Sequence, residues 1–183
     1  MPTVMDAEQI RRAIARIAHE IVEDDSPLDH LILMGIRSRG APLAKRIAGM
    51  MQQITGRELF TAALDVTPYR DDLVVRPSVS NVSPLVANSV VANRSVILVD
   101  DVLYTGRTIR AAMDALVEMG RPTRIQLAVL VDRGHRELPI RPDYVGKNIP
   151  TSREQTIHVR LTESDGRDEV LLESVSESVE RLA

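Results

Sequence analysis

Cysteine and tryptophan are absent from this 183-residue chain, and it holds one phenylalanine and three tyrosines. Without thiols there can be no disulfide and no thiolate-held metal, which fits a reducing, cytoplasmic setting. With aromatics at 2%, a base-stacking platform of the RRM or OB type is disfavoured. No apolar run approaches the length of a membrane span, and no basic-then-apolar leader opens the sequence, so neither a membrane segment nor a secretion signal is expected. His19, His30, His135 and His158 are scattered, without zinc-like spacing. The net charge is only −3, so nucleic-acid binding would need a local basic patch. Lysine is nearly missing too: Lys45 and Lys147 are the only two among 23 basic residues. Arginine's planar fork suits phosphate and guanine, but a coding bias explains a chain-wide excess equally well, so only clustered arginines count.

What is present is concentrated in Val96 to Thr108, VILVDDVLYTGRT. The first four residues read as a strand buried on both faces. Asp100 and Asp101 sit where that strand should emerge. A small-residue turn, Thr105-Gly106, then leads into a helix, so backbone N–H groups and a positive dipole end face the same place. An acid pair beside an anion cradle suits a ligand with both hydroxyls and a phosphate, such as ribose 5-phosphate. The P-loop and the G-x-G-x-x-G fingerprint are both missing. The bland alternative is a buried strand with an acidic end and an ordinary helix cap.

Elsewhere the pattern is strand and helix in alternation. Asp6 and Gln9 form a capping box ahead of a helix whose buried stripe is Ile10, Ala13, Ile14, Ile17, Ala18 and Ile21. Leu31 to Ile36 is a buried strand. A loop at 35–40 precedes a helix expected to bury Leu43, Ile47, Met50 and Ile54 and to end at Gly56. Phe60 to Val66 is a strand. Residues 67–94, rich in proline, serine and asparagine, suggest a long lid over the site. The helix after Gly106 is expected to bury Ile109, Ala112, Met113, Leu116 and Val117 and to stop at Gly120. Ile125 to Val131 is a further strand. Asp132 to Arg153 is turn-rich, and strand-like segments follow near Ile157 to Leu161 and Val170 to Leu172. This order predicts one α/β domain over 1–183, a mostly parallel central sheet flanked by helices. Ligands bind such sheets at the carboxyl ends of strands, which gathers the loops at 35–40, 100–108 and 132–136. In the first of these, Ser38-Arg39-Gly40 is a second anion-binding candidate.

VILVDDVLYTGRT resembles the phosphoribosyl pyrophosphate (PRPP) motif of type I phosphoribosyltransferases. Together with RIAHE in the first helix, YRDDL at 69–73, and DRGHRELPIR through VGKNIPTS at 132–152, the chain closely resembles the PyrR family from about Asp6 to Ser152. That family combines attenuation of pyrimidine operons with uracil phosphoribosyltransferase activity. The resemblance implies a Rossmann-like type I phosphoribosyltransferase fold with a small hood, from about 132–183 with part of the N-terminus. It implies that Asp100 and Asp101 hold the ribose hydroxyls, that Val102, Leu103, Tyr104, Thr105, Gly106, Arg107 and Thr108 surround the 5′-phosphate, and that Ser38, Arg39 and Gly40 form a pyrophosphate loop with a non-proline cis peptide. Arg70 would close from the lid and join Asp100 and Asp101 as a catalytic group. Arg133, Asn148 and Ile149 would recognise uracil.

Mg²⁺ is implied as the companion of PRPP, held mainly by substrate oxygens and water near Asp100 and Asp101. Tyr104 stands where purine enzymes of the superfamily have an acid proposed as a base. A phenol does not fill that role at neutral pH, so catalysis would rest on positioning and electrostatics. The second implied activity is binding of pyr leader mRNA under control of UMP or UTP, through Arg16, His19, His135, Arg136, Arg141 and Lys147, with a homodimer or higher oligomer joining two such sets. Asp24-Asp25 adds acid where the resemblance implies basic residues, which would repel phosphate. Two alternatives stay open: a uracil phosphoribosyltransferase without RNA regulation, and a catalytically weak nucleotide sensor.

Overall fold

In the computed structural model, residues 1–24, 28–67 and 91–174 are described. The lid, with Arg70 and the YRDDL string, lies outside them apart from its first and last few residues.

Five strands make the main sheet: β2 (Leu31–Ile36), β3 (Phe60–Leu64), β4 (Ser95–Leu103), β5 (Arg124–Asp132) and β6 (Tyr144–Asn148). Their order is β3-β2-β4-β5-β6, and every pairing is parallel. Three longer helices cover it: α1 (Ala7–Glu23), α2 (Gly40–Thr55) and α3 (Arg107–Met119). The strands are apolar at nearly every position because both faces are buried. Alternate residues feed two separate cores. Leu31, Leu33, Ile97, Val99, Ala128 and Leu130 pack with α1 and α2. Ile32, Met34, Val96, Leu98, Leu127 and Val129 pack with α3. The chain thus leaves β2 over one face and β4 over the other. Their adjacent carboxyl ends open a crevice, the place where parallel sheets of this kind take ligands.

A second sheet, β1-β8-β7, is antiparallel. It joins β1 (Thr3–Met5) to the hairpin of β7 (Gln155–Arg160) and β8 (Glu169–Ser174), with the single-turn helix α4 (Thr162–Asp165) in the hairpin's connection. No helix among the described residues is long and apolar enough to cross a membrane.

The α1 cap forms as expected, with Gln9 N–H donating to Asp6 at 2.8 Å and Asp6 N–H to Gln9 at 3.0 Å, and its buried stripe is the expected set. Four expectations are corrected. The α2 stripe runs Leu43, Ile47, Met51 rather than through Met50 and Ile54, and Ile54 is 37% exposed. Successive i+4 steps lead to Met51, whereas the i+3 step to Met50 turns toward the rim. Val117 is 68% exposed, because Ala111 and Ala115 carry the contact instead. The turn-rich stretch hides β6, a full member of the sheet. β1 was unforeseen, since three residues show no period and its partner lies at the other end of the chain.

Asp24 also takes another part. Its carboxylate accepts from Gln126 Nε2 at 2.9 Å and from the Tyr144 hydroxyl at 3.0 Å, with Arg124 at 3.3 Å. These bonds hold its pKa below the usual carboxylate range, while burial and the Asp24 contact push the Tyr144 phenol up to about 12. Asp24 ties the end of α1 to β5 and β6 and is not a free acid repelling phosphate.

Candidate functional site

β4 is longer than its apolar run suggests. It continues through the acid pair to Leu103, with Asp100 opposite Val129 and Val102 opposite Val131. The two acids therefore stand on opposite sides of one strand end. Asp100, 7% exposed, lies on the α3 side and lines a cleft of about 300 Å³. Asp101 lies on the α2 side, where burial pushes its carboxyl up and the charge of Arg39 pulls the other way. The pair is braced locally: Asp101 N–H donates to Asp100 Oδ1 at 3.0 Å and Val102 N–H to Asp101 Oδ1 at 2.9 Å.

The cleft is completed by Val102 to Ile109 and by Glu137. Gly106 caps α3 at φ +94° with no side-chain cap bond, a conformation that disfavours any residue with a Cβ. Gly106 offers the first N–H groups of α3 no capping side chain, and Thr105 Oγ1 reaches one of them, that of Arg107 at 3.4 Å, so this helix start can serve as an anion cradle.

The 132–141 stretch backs this turn. Arg133 N–H donates to Leu103 O at 3.1 Å, and Glu137 and Leu138 N–H to Thr105 O at 3.0 and 3.2 Å. Arg107 reaches Glu137 at 2.9 Å. Glu137 was quoted in the sequence without a role, since no local signal links it to a turn thirty positions away.

The second loop abuts the first. The Arg37–Ser38 peptide is cis. A Cβ on Gly40 would lie 2.2 Å from Val99 O, so only glycine lets α2 start this close to β4. Ser38 and Arg39 are thereby held beside the acid pair.

The proposed uracil residues also converge. Asp132 pairs with Asn148, and Ile149 N–H donates to Asp132 O at 2.9 Å. Arg133 is 6% exposed. Its guanidinium lies 4.0 Å from the Tyr104 ring centroid and donates to Thr151 Oγ1, Ser152 O and Gln155 O at 3.0, 3.1 and 2.5 Å. Burial lowers its pKa. Arg133 therefore locks the 148–155 segment against Tyr104. Its guanidinium does not stand open in the cleft, so any part in base recognition works through the loop it holds.

The six basic candidates do not form one free patch. Arg16 donates to Val145 O and Gly146 O at 3.0 and 2.6 Å, and to Glu20. Lys147 donates to Val4 O at 2.8 Å. These two border β6, with Lys147, Arg16 and His19 exposed. Arg141 is exposed as well. His135 lies edge-on to Tyr104, 6.0 Å between centroids, and bonds Thr151 O. Arg136 turns inward. It donates to Ile140 O, Tyr104 O, Leu103 O and Gly134 O and pairs with Asp132, clamping the loop on which it sits.

With these loops at its carboxyl edge, the parallel sheet has the phosphoribosyltransferase fold. The family model described as phosphoribosyl transferase domain matches residues 3–164. Solved structures share the fold: a hypoxanthine phosphoribosyltransferase of Trypanosoma cruzi with TM-score 0.72 at 18% identity, covering 98% of this chain and 94% of that one, and the HGPRT-ase of Leishmania tarentolae in complex with GMP, TM-score 0.69 at 22% identity, covering 94% and 97%.

Much nearer in sequence are the bifunctional proteins PyrR of Bacillus cereus strain B4264 and Bacillus anthracis strain A0248. Each is 57% identical over 171 residues, covering 91% of this chain and 94% of the relative. The chain belongs to the PyrR family.

Proposed function

We infer that this chain is a pyrimidine-operon regulator with uracil phosphoribosyltransferase activity. The observation that carries the reading is the cleft at the end of β4, which unites a buried acid, the α3 helix start and Tyr104, the ring that Arg133 ties to the base-side segment.

In the reaction, uracil N1 displaces pyrophosphate from C1 of PRPP, giving UMP. The C1–O bond to pyrophosphate breaks with its electron pair as the C1–N1 bond forms, and uracil gives up its N1 proton. Asp100 and Asp101 accept from the ribose hydroxyls. The α3 N-terminus, with Thr105 and Thr108, takes the 5′-phosphate. Ser38, Arg39 and Gly40 receive the leaving diphosphate, and Arg70 closes from the lid. Asn148, Ile149 and the segment held by Arg133 meet the base, with the 132–183 hood over it. Mg²⁺ would be held mainly by diphosphate oxygens and water, near Asp100 and Asp101. When bound, Mg²⁺ supplies charge neutralisation to the leaving diphosphate.

UMP or UTP in the same cleft would order the lid and hood and pre-organise a face for pyr leader mRNA. His19, Arg141 and Lys147 supply the exposed charge of that face, His135 and Arg16 its flanks, and a homodimer would double it. PRPP and uracil are intracellular metabolites, so the protein works in the cytoplasm. One observation favours a second reading, an enzyme without RNA control: Arg136 and Arg16 are already engaged by backbone carbonyls.

Two assays decide. UMP formation from uracil and PRPP should proceed far faster in the wild type than in Asp100→Asn/Asp101→Asn, and equal rates would remove the enzyme. Filter binding to a pyr leader hairpin should be stimulated by UMP and weaken steeply with salt. Binding that ignores both would remove the regulator.

A further inference from the structure

The pyrophosphate loop is tethered from outside the main sheet. Arg39 Nη2 donates to the two carboxylate oxygens of Asp165 at 3.0 and 3.4 Å, across 126 positions of sequence. Asp165 is itself fixed, because its carboxylate accepts Leu161 N–H at 2.9 Å. The α4 turn that carries it is fastened to α2 a second time. Arg46 donates to Glu163 at 2.8 and 2.5 Å and to Asp168 at 2.6 and 2.8 Å. Arg39 and Arg46 lie about two helical turns apart, so α4 is pinned along one face of α2.

The grip on Arg39 is incomplete. Its Nε is buried with no acceptor, and Asp165 engages only Nη2 of a group with five donors. Arg39 also acts by its charge on Asp101. Among the described residues the guanidinium is thus held at one nitrogen by the hairpin and carries further donors beside a loop suited to an anion.

We propose that Asp165 is a positioning residue for pyrophosphate: it holds Arg39 at the mouth of the 37–40 loop so that the diphosphate of PRPP meets an arginine already in place. The proposal rests on the phosphoribosyltransferase reading above. An arginine fixed in advance removes side-chain ordering from the binding step. The benefit goes only to ligands that carry a diphosphate at this loop. UMP, whose single phosphate sits on the α3 cradle, is indifferent to it.

The experiment uses the full chain. Asp165→Asn keeps an acceptor for Leu161 N–H and removes the charge from Arg39. It should raise the KM for PRPP about 3- to 10-fold while kcat and the KM for uracil hold. Calorimetry should show weaker Mg-pyrophosphate binding by the same factor and unchanged UMP binding. Glu163→Gln loosens α4 without touching Arg39, so it should lower the melting temperature and leave pyrophosphate affinity alone. Arg39→Gln should leave nothing further for Asp165→Asn to remove. If Asp165→Asn does not fold, Asp165→Ser, which also retains an acceptor, replaces it. Unchanged or tighter pyrophosphate binding in the Asp165 variants overturns the proposal, as does an equal loss for UMP. A wild type that forms no UMP defeats the enzyme reading instead, and the pyrophosphate titration still judges Asp165.

Discussion

Two acidic regions of this molecule behave in opposite ways. At the end of β4, Asp100 is buried and Asp101 half-buried, and desolvation pushes the Asp101 carboxyl up. Around α4, Glu163, Asp165 and Asp168 are each met by an arginine, and all three are held below their ordinary range. The second region uses its charges to fasten a hairpin to α2. The first holds Asp101 where burial opposes its charge, an arrangement that suits a ligand better than it suits the fold. An acid costs stability where burial opposes its charge, as at Asp101, and contributes it where an arginine of the protein answers it, as around α4.

The sharpest way to break that contrast is at the acid pair. Asp100→Asn/Asp101→Asn should lower UMP formation at least about 100-fold, the scale of losing preorganised electrostatic contacts, while the melting temperature stays level or rises. A fall in melting temperature with activity retained would put the pair among structural acids.

Next in size is the junction of the two regions. Gly40→Ala forces a methyl against Val99 O and should cost about 1–3 kcal/mol in urea unfolding, with weaker PRPP binding. Arg46→Met removes the guanidinium from Glu163 and leaves Asp168 with only Thr162 as a donor among the described residues, and should cost about 2 kcal/mol. An unchanged urea midpoint would show that the network only decorates the surface.

The two regions should also part with pH. Asp168, held at about 2 by its bonds to Arg46 against an ordinary 3.8, contributes stability that is complete above its ordinary value and lost as pH falls through about 2. Asp101 has the opposite sign. Its raised pKa means that the folded chain takes up that proton first, so folding gains while ribose contacts are lost. UMP affinity should therefore decline before the melting temperature does as pH is lowered from neutrality. A joint decline would erase the distinction. The smallest effect belongs to Val117, where Val117→Ala should stay within about 0.5 kcal/mol while Ile109→Ala costs about 2–4 kcal/mol.

Much of the fold was legible because its signals are local. Asp6 and Gln9 announce α1 within four residues, and β2 was legible to the residue because six buried positions leave no period to misread. The PRPP-like run was legible for the same reason. β6 and β1 were not, since each is stabilised almost wholly by neighbours remote in sequence. Val117 was misread because an apolar residue at helical spacing looks buried until small neighbours take the contact. Arg133 was read by resemblance and Arg136 and Asp24 largely by charge, and their partners lie up to 120 positions away.

The sequence alone determined the alternation of strands and helices from α1 to β5, the acid pair and the glycine-led helix start after it, because each depends on residues within one turn or one strand of each other. Only the tertiary structure decided that Asp100 and Asp101 part to opposite sides of β4, that Arg133 and Arg136 turn inward, and that Arg39 is answered by Asp165. Desolvation and pairing are set by which surfaces close over a side chain, and those surfaces come from distant parts of the chain.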